Sequence, residues 1–212
     1  MITVKCVSFK YPRSDREVIK DLSCSFGRGE VVALTGGNGC GKTTLTKLMT
    51  GMLRPESGCV TVGGYDIKDM DLFQIGRRIG YVFQNPNRQL FCQTVYDEIA
   101  FGLKNLGLGE KLFACKTEEM LSRFDLARLR ASFPGNLSFG EKQRTALAAV
   151  LALGTEYLIL DEPTSGLDMR GREELGALLR GLADNDGCGV IFVSHERAFI
   201  DKYATREEVM SR

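Results

Sequence analysis

A glycine-rich segment constrains this chain more than any other part of its sequence. Residues 36–43 read GGNGCGKT and fit the pattern GxxxxGK[ST], between the apolar run of residues 30–35 and a helical pattern over Lys42–Thr50. Glycines let successive backbone N–H groups turn toward phosphate oxygens, and the helix adds the positive end of its dipole. A simple glycine-rich turn is the alternative, but the strand–loop–helix context favours a phosphate-binding loop.

The residue types of this loop predict individual roles at a nucleotide. The Lys42 ammonium is expected to reach the β- and γ-phosphates, and the Thr43 hydroxyl is a candidate Mg²⁺ ligand. The predicted nucleotide-binding residues of the loop are Gly36, Gly37, Asn38, Gly39, Cys40, Gly41, Lys42, Thr43 and Thr44. The dinucleotide fingerprint GxGxxG fails here, because Lys42 stands where its third glycine would be.

Two carboxylates follow a second apolar run, YLIL at residues 157–160. Ligand sites in parallel sheets lie at the carboxyl ends of the strands, which places Asp161 and Glu162 near the phosphate loop. Asp161 is predicted to hold Mg²⁺, directly or through water, and Glu162 to act as general base on the attacking water. The alternative is a strand that leaves the core with polar residues. The phosphate loop in the same chain favours the catalytic interpretation.

The remaining pattern indicates one α/β domain over residues 1–212. Residues 2–9, 58–62, 79–83 and 189–194 are predicted strands, and 172–182 is a predicted helix. Between residues 94 and 124 apolar residues recur at the helical spacing, and Thr94 followed by Asp97 resembles a helix start. Strands that alternate with helices predict a mostly parallel sheet. We therefore expect a nucleotide-binding core of residues 1–85 and 145–212 with a helical insert at 86–144.

Further motifs identify a family. Residues 137–144, LSFGEKQR, resemble the LSGGQ signature of ATP-binding cassette (ABC) ATPases and precede Asp161 at that family's approximate spacing. Residues 165–168, SGLD, resemble its D-loop. Three single residues match the family's switch histidine, Q-loop glutamine and adenine-stacking aromatic: His195, Gln84 and Tyr11.

The resemblance implies a P-loop NTPase fold with a small N-terminal antiparallel β part and an inserted helical subdomain. It implies that ATP and Mg²⁺ bind, with Gln84 as a further metal ligand and catalytic residue beside Lys42 and Glu162. His195 would contact the γ-phosphate, although a lone histidine is often structural, and Tyr11 would stack on adenine. Ser138 and Gly140 would meet the γ-phosphate of a second ABC subunit in a head-to-tail homo- or heterodimer.

The signature departs from the family pattern at two positions. Phe139 replaces a glycine, and Glu141 replaces a glutamine. If the Phe139 ring points away from the phosphate, little changes. If it does not, the site shared between two subunits is weakened.

Residues 82–91 and 94–103 resemble ATPases of energy-coupling-factor importers, which take up vitamins and transition-metal ions such as cobalt. This implies integral membrane partners and a peripheral location on the cytoplasmic face of the membrane. The alternatives are a soluble ABC ATPase that acts on ribosomes or DNA, and a nucleotide sensor without turnover. The last strands usual in the family are not evident in residues 203–212.

Composition excludes other classes of protein. A net charge of +1 argues against a nucleic-acid partner. The seven cysteines form no CxxC pair, which disfavours a zinc site or a disulfide framework and favours a reducing compartment. The most apolar stretch, residues 145–160, falls short of a membrane span, so any spanning segments must belong to another subunit.

Overall fold

The computed structural model describes residues 1–12, 14 and 16–211 and contains two β-sheets. The first sheet is antiparallel and is built from β1 (Ile2–Lys10), β2 (Glu17–Phe26), β4 (Ser57–Val62) and β5 (Tyr65–Asp66). Its strand order is β2-β1-β4-β5. The second sheet is parallel and is built from β3 (Val31–Gly36), β6 (Ile79–Val82), β7 (Tyr157–Asp161), β8 (Gly189–Val193) and β9 (Arg206–Met210). Its strand order is β6-β7-β8-β3-β9. The predicted α/β fold with a mainly parallel sheet and an antiparallel part is confirmed.

In the described part of the chain, seven α-helices connect and cover these strands. They are α1 (Lys42–Met49), α2 (Leu72–Gly76), α3 (Val95–Asn105), α4 (Glu110–Arg123), α5 (Phe139–Leu151), α6 (Met169–Asp184) and α7 (Arg197–Tyr203). No helix within the described residues has both the length and the apolar character needed to cross a bilayer.

The parallel sheet lies between two apolar clusters, which explains why its strands read as continuous apolar runs. Every residue of β7 and β8 is buried. Leu160 and Phe192 face the cluster that includes the helices of the insert. Ile159 and Ile191 face the cluster shared with α1 and the antiparallel sheet. The carboxyl ends of the strands are therefore held between two packed layers.

The predicted helical insert is formed by α3, α4 and the first part of α5. Thr94 caps α3 as expected, with the Asp97 N–H donating to its hydroxyl oxygen at 3.0 Å. The predicted boundary at residue 144 falls within α5, which continues to Leu151 beside the core strands. One helix thus belongs to both the insert and the core.

Three strands were missed by the sequence analysis, namely β2, the two-residue β5 and β9. Residues 206–210 form β9, which pairs in parallel with β3, so the expectation of no evident strand in residues 203–212 was wrong. Charged residues dominate REEVM because β9 lies at the edge of the sheet, where only part of the strand is buried. The β2 strand escaped notice because its bulged pairing with β1 interrupts the alternation of apolar residues.

Candidate active site

The predicted phosphate-binding loop connects β3 to α1 at the carboxyl edge of the parallel sheet. Gly36, Gly39 and Gly41 have φ values of 137°, 73° and 101°, a region that side chains with a Cβ rarely adopt. A Cβ on Gly36 would also lie 2.4 Å from the Met210 carbonyl oxygen in β9. The loop thus requires glycine both for its backbone conformation and for its packing against the edge strand.

Lys42 is the first residue of α1, and it is only 7% exposed. Its Nζ donates to the carbonyl oxygens of Gly36 at 2.9 Å and Gly37 at 3.1 Å. The loop therefore holds a fixed positive charge at the amino end of a helix, where backbone N–H groups also favour anions. Cys40 is buried behind the loop at 4% exposure, so its side chain packs into the core.

Thr43 and Asp161 meet across the gap between α1 and β7. The Thr43 Oγ1 lies 3.3 Å from the Asp161 Oδ1, close to the spacing of about 3.0 Å between adjacent oxygens around octahedral Mg²⁺. Tyr81 donates its hydroxyl to the other carboxylate oxygen at 3.4 Å, and burial raises the pKa of Tyr81 to about 12. Tyr81 therefore stays a donor and orients Asp161, and these hard oxygen donors fit Mg²⁺.

Glu162 and His195 lie side by side at the ends of β7 and β8. The Glu162 Oε1 is 3.4 Å from the His195 Nε2, and both side chains are partly exposed. Glu162 has φ of 49°, unusual for a residue with a side chain, and its N–H donates to the Val193 carbonyl oxygen at 3.1 Å. The end of β8 thus stabilises a strained turn that places the Glu162 carboxylate beside His195.

Gln84 lines a cleft of about 610 Å³ together with Thr43 and Asp161. The loop that carries it is fixed by Gln89, whose Oε1 accepts from the Phe83 N–H and whose Nε2 donates to the Tyr81 carbonyl oxygen, both at 3.3 Å. The structure therefore brings the predicted Q-loop residue beside the predicted metal ligands.

Tyr11 lies at the end of β1 and contacts the start of α1. Its hydroxyl forms a hydrogen bond of 3.1 Å with the Thr44 Oγ1, and its ring packs edge-on against Phe9 at 5.0 Å. The side chain remains 37% exposed. Tyr11 is thus an anchored aromatic residue beside the phosphate loop, with surface left for a base to contact.

The signature residues occupy the amino end of α5. Ser138 and Glu141 form a capping box, in which the Ser138 N–H and hydroxyl donate to the Glu141 Oε2 at 2.9 and 2.7 Å. These bonds from Ser138 lower the pKa of Glu141. Phe139 borders the 610 Å³ cleft, whereas Ser138 and Gly140 do not line it. The latter two are therefore separate from this chain's own predicted metal ligands.

Sequence reasoning missed several residues that support the site. Tyr81 orients Asp161, and Gln89 fixes the Q-loop. Glu98 accepts hydrogen bonds from two backbone N–H groups of the loop that precedes α3. None of them carries a motif that marks its role. The only available signal was a polar side chain within an otherwise buried pattern, as for Glu98 on the apolar face of α3.

Known proteins resemble this chain over most of its length. The profile of the family described as "ABC transporter" matches residues 19–165. The energy-coupling factor transporter ATP-binding protein EcfA1 of Listeria monocytogenes is 38% identical over 195 residues, which is 92% of this chain and 70% of the relative.

Two solved structures share the fold and most of the length. CbiO1 of Clostridium perfringens, described as part of the ABC transporter complex CbiONQ, has a TM-score of 0.90 at 34% identity and aligns over 99% of this chain and 84% of its own. The ATP-binding cassette MJ0796, described as a dimer in a post-hydrolysis state with ADP and phosphate, has a TM-score of 0.87 at 25% identity. It aligns over 100% of this chain and 94% of its own.

Proposed function

Since this chain belongs to the ABC transporter family and is an ATP-binding ATPase subunit of that family, we propose that it powers a membrane importer of the energy-coupling-factor type. The cargo would be a vitamin or a transition-metal ion, and the subunit would sit on the cytoplasmic face of the membrane. The importer type is supported by the 38% identity to EcfA1 of Listeria monocytogenes. ATP hydrolysis is supported by the convergence of Lys42, the Thr43–Asp161 pair and the Glu162–His195 pair at one edge of the parallel sheet.

These groups match the requirements of phosphoryl transfer to water. Lys42 and the loop N–H groups would bind the β- and γ-phosphates, and Tyr11 would contact adenine. Thr43, Asp161 and Gln84 would hold Mg²⁺, which neutralises phosphate charge when bound. Glu162 would accept a proton from water as the water oxygen bonds to the γ-phosphorus and the bond to ADP breaks. His195, 3.4 Å from Glu162, would orient the γ-phosphate.

The signature motif supports a head-to-tail dimer. Ser138 and Gly140 do not line the cleft that holds Thr43 and Asp161 of their own chain. A second ABC subunit would bring its phosphate loop to these residues, so that two ATP molecules bridge the chains. ATP binding would then favour the closed dimer, and loss of the γ-phosphate would favour the open state.

An exposed aromatic pair supports docking of a membrane subunit. Phe91 and Phe101 are 65% and 46% exposed, and their rings pack edge-to-face at 4.9 Å. They lie on the loop after the Q-loop and on α3, so a helix bound there would sense movement of Gln84. Exposed aromatic clusters of this kind favour protein contacts.

The test uses Glu162→Gln, which is expected to bind ATP without cleaving it and to accumulate the closed dimer. Tagged protein would be expressed in its native host and solubilised with MgATP, and its partners would be identified by mass spectrometry. We expect polytopic membrane proteins, with or without a second cassette. Recovery of ribosomal or DNA-repair proteins without membrane subunits would refute the importer proposal.

Two further variants sharpen this experiment. Replacing both Phe91 and Phe101 by alanine in the same background should remove the membrane subunits and leave ATP binding intact. Phe73→Ala changes an aromatic residue of α2 that is 51% exposed and lies outside the Phe91–Phe101 pair, and it should have no effect. Wild-type recovery of membrane subunits by the double alanine variant would locate docking elsewhere.

A further inference from the structure

The first turn of α5 packs against the loop that follows the catalytic carboxylate of the same chain. A Cβ built on Gly166 would lie 3.2 Å from the Phe139 Cε1 and 3.3 Å from its Cδ1 and Cζ, so the phenyl ring covers Gly166. Gly166 has φ of 80°, a conformation suited to glycine. The ring therefore points to this loop rather than into open solvent.

Two neighbouring contacts join the same segments. The Gln143 Nε2 donates to the Pro163 carbonyl oxygen at 2.6 Å, in a buried position. A Cβ on Gly140 would lie 3.9 Å from the Leu167 Cδ2, so these two residues also adjoin. The signature helix is thus joined to residues 163–167 at three points.

This loop is also joined to the catalytic site. It begins one residue after Glu162, and the Ser165 N–H donates to the Glu162 carbonyl oxygen at 3.2 Å. Phe139, Ser165 and Gly166 line the same cleft as Asp161. A displacement of α5 therefore changes the surroundings of Asp161 and Glu162 through direct contacts.

We propose that Phe139 is a positioning residue that joins the signature segment to residues 165–166, so that a nucleotide bound across the dimer sets the catalytic geometry of this chain's own site. The inference rests on the proposed head-to-tail dimer. Packed interfaces transmit small displacements because they have few alternative arrangements. A glycine at residue 139 would leave this contact unfilled, and the substitution observed here strengthens the connection.

The test compares Phe139→Ala with the conservative variant Phe139→Leu, which retains apolar bulk. We expect Phe139→Ala to lower kcat about 10-fold or more, since small misplacements at a catalytic site have effects of this size. The Hill coefficient for ATP turnover should fall toward one. ATP affinity by calorimetry and the thermal unfolding midpoint should stay near wild type, and Phe139→Leu should restore kcat.

Gly166→Ala provides a test of the contact itself. The φ of 80° strains an alanine at residue 166 in both backgrounds. The tight contact of 3.2 Å between the new Cβ and the Phe139 ring is present only in the wild-type background. We therefore expect Gly166→Ala to lower kcat by a smaller factor in the Phe139→Ala background than in the wild-type background, whereas independent sites would give the same factor in both.

The outcomes separate this inference from the proposed function. The Glu162→Gln protein, with and without Phe139→Ala, should form an ATP-dependent dimer in both cases. A dimer that forms while Phe139→Ala keeps wild-type kcat and cooperativity would overturn the inference alone. Loss of kcat accompanied by an equal loss of thermal stability, with no rescue by leucine, would assign Phe139 a structural role. Absence of any ATP-dependent dimer would overturn both proposals.

Discussion

Glu98 offers a quantitative test of how the exposed aromatic pair is held in place. This carboxylate is 5% exposed on α3, and its Oε2 accepts the backbone N–H groups of Phe91 at 2.9 Å and Cys92 at 2.7 Å. Hydrogen bonds to a charged group contribute about 1.5–3 kcal/mol, against about 0.5–1.5 kcal/mol for neutral partners. Glu98 therefore fixes the loop that carries Phe91 more strongly than a neutral side chain would.

The change Glu98→Gln keeps an acceptor oxygen but removes its charge. Each of the two hydrogen bonds is then weaker by about 1 kcal/mol, so the free-energy cost of opening the loop falls by about 2 kcal/mol. This corresponds to about a 30-fold larger opening equilibrium, and amide hydrogen exchange measures such local opening directly. We expect the Phe91 and Cys92 amides to lose about 30-fold in protection, while core amides such as Ile159 keep theirs.

A chemical readout accompanies the exchange measurement. Burial and the negative charge of Glu98 raise the pKa of the Cys92 thiol to about 11. Removal of that charge lowers the pKa of Cys92, so a larger thiolate fraction should react faster with iodoacetamide. Glu119→Gln, at an exposed position on α4, is the matched control. Exchange at Phe91 and Cys92 that stays within about 2-fold of wild type would refute this account of Glu98.

Two further perturbations test the nucleotide site. Because the chain contains no tryptophan, Tyr11→Trp should give a unique fluorescence signal that MgATP alters and inorganic triphosphate does not. An equal response to both compounds would exclude a contact between residue 11 and the adenine base. Gly36→Ala should lower the free energy of unfolding, measured by urea titration, by about 2 kcal/mol or more, because residue 36 has φ of 137° and the new Cβ would collide with Met210. Gly37→Ala is the control: its Cβ would meet no atom within 4 Å, so its free energy of unfolding should stay near that of the wild type.

The features set by local sequence were predictable. The phosphate loop, the apolar strands that end at Asp161 and before His195, and the capped start of α3 depend on residues adjacent in sequence. Continuous apolar runs indicated the buried strands because both faces of the parallel sheet are covered. The expected position of Asp161 and Glu162 near the phosphate loop then followed from the preference for ligand sites at the carboxyl ends of parallel strands.

The features set by distant contacts were not predictable. The β9 strand is stable because it pairs with β3, and its own residues are largely charged. The positive φ of Glu162 depends on a hydrogen bond to Val193, more than thirty residues away. The role of Glu98 depends on where the preceding loop folds back. Such partners are brought together only by the complete fold, so no window of sequence contains the information.

The two departures in the signature have different physical consequences, which the sequence alone could not separate. Glu141 forms both bonds of a capping box with Ser138, and a glutamine could supply the same acceptor, so this replacement changes the charge at the amino end of α5 and leaves its geometry in place. Phe139 instead creates a contact with Gly166 that a glycine has no side chain to make. A carboxylate next to a predicted phosphate contact opposes nucleotide binding, while the ring joins that contact to this chain's own predicted catalytic residues. Binding strength and communication between sites therefore depend on different residues, and each can be changed without the other.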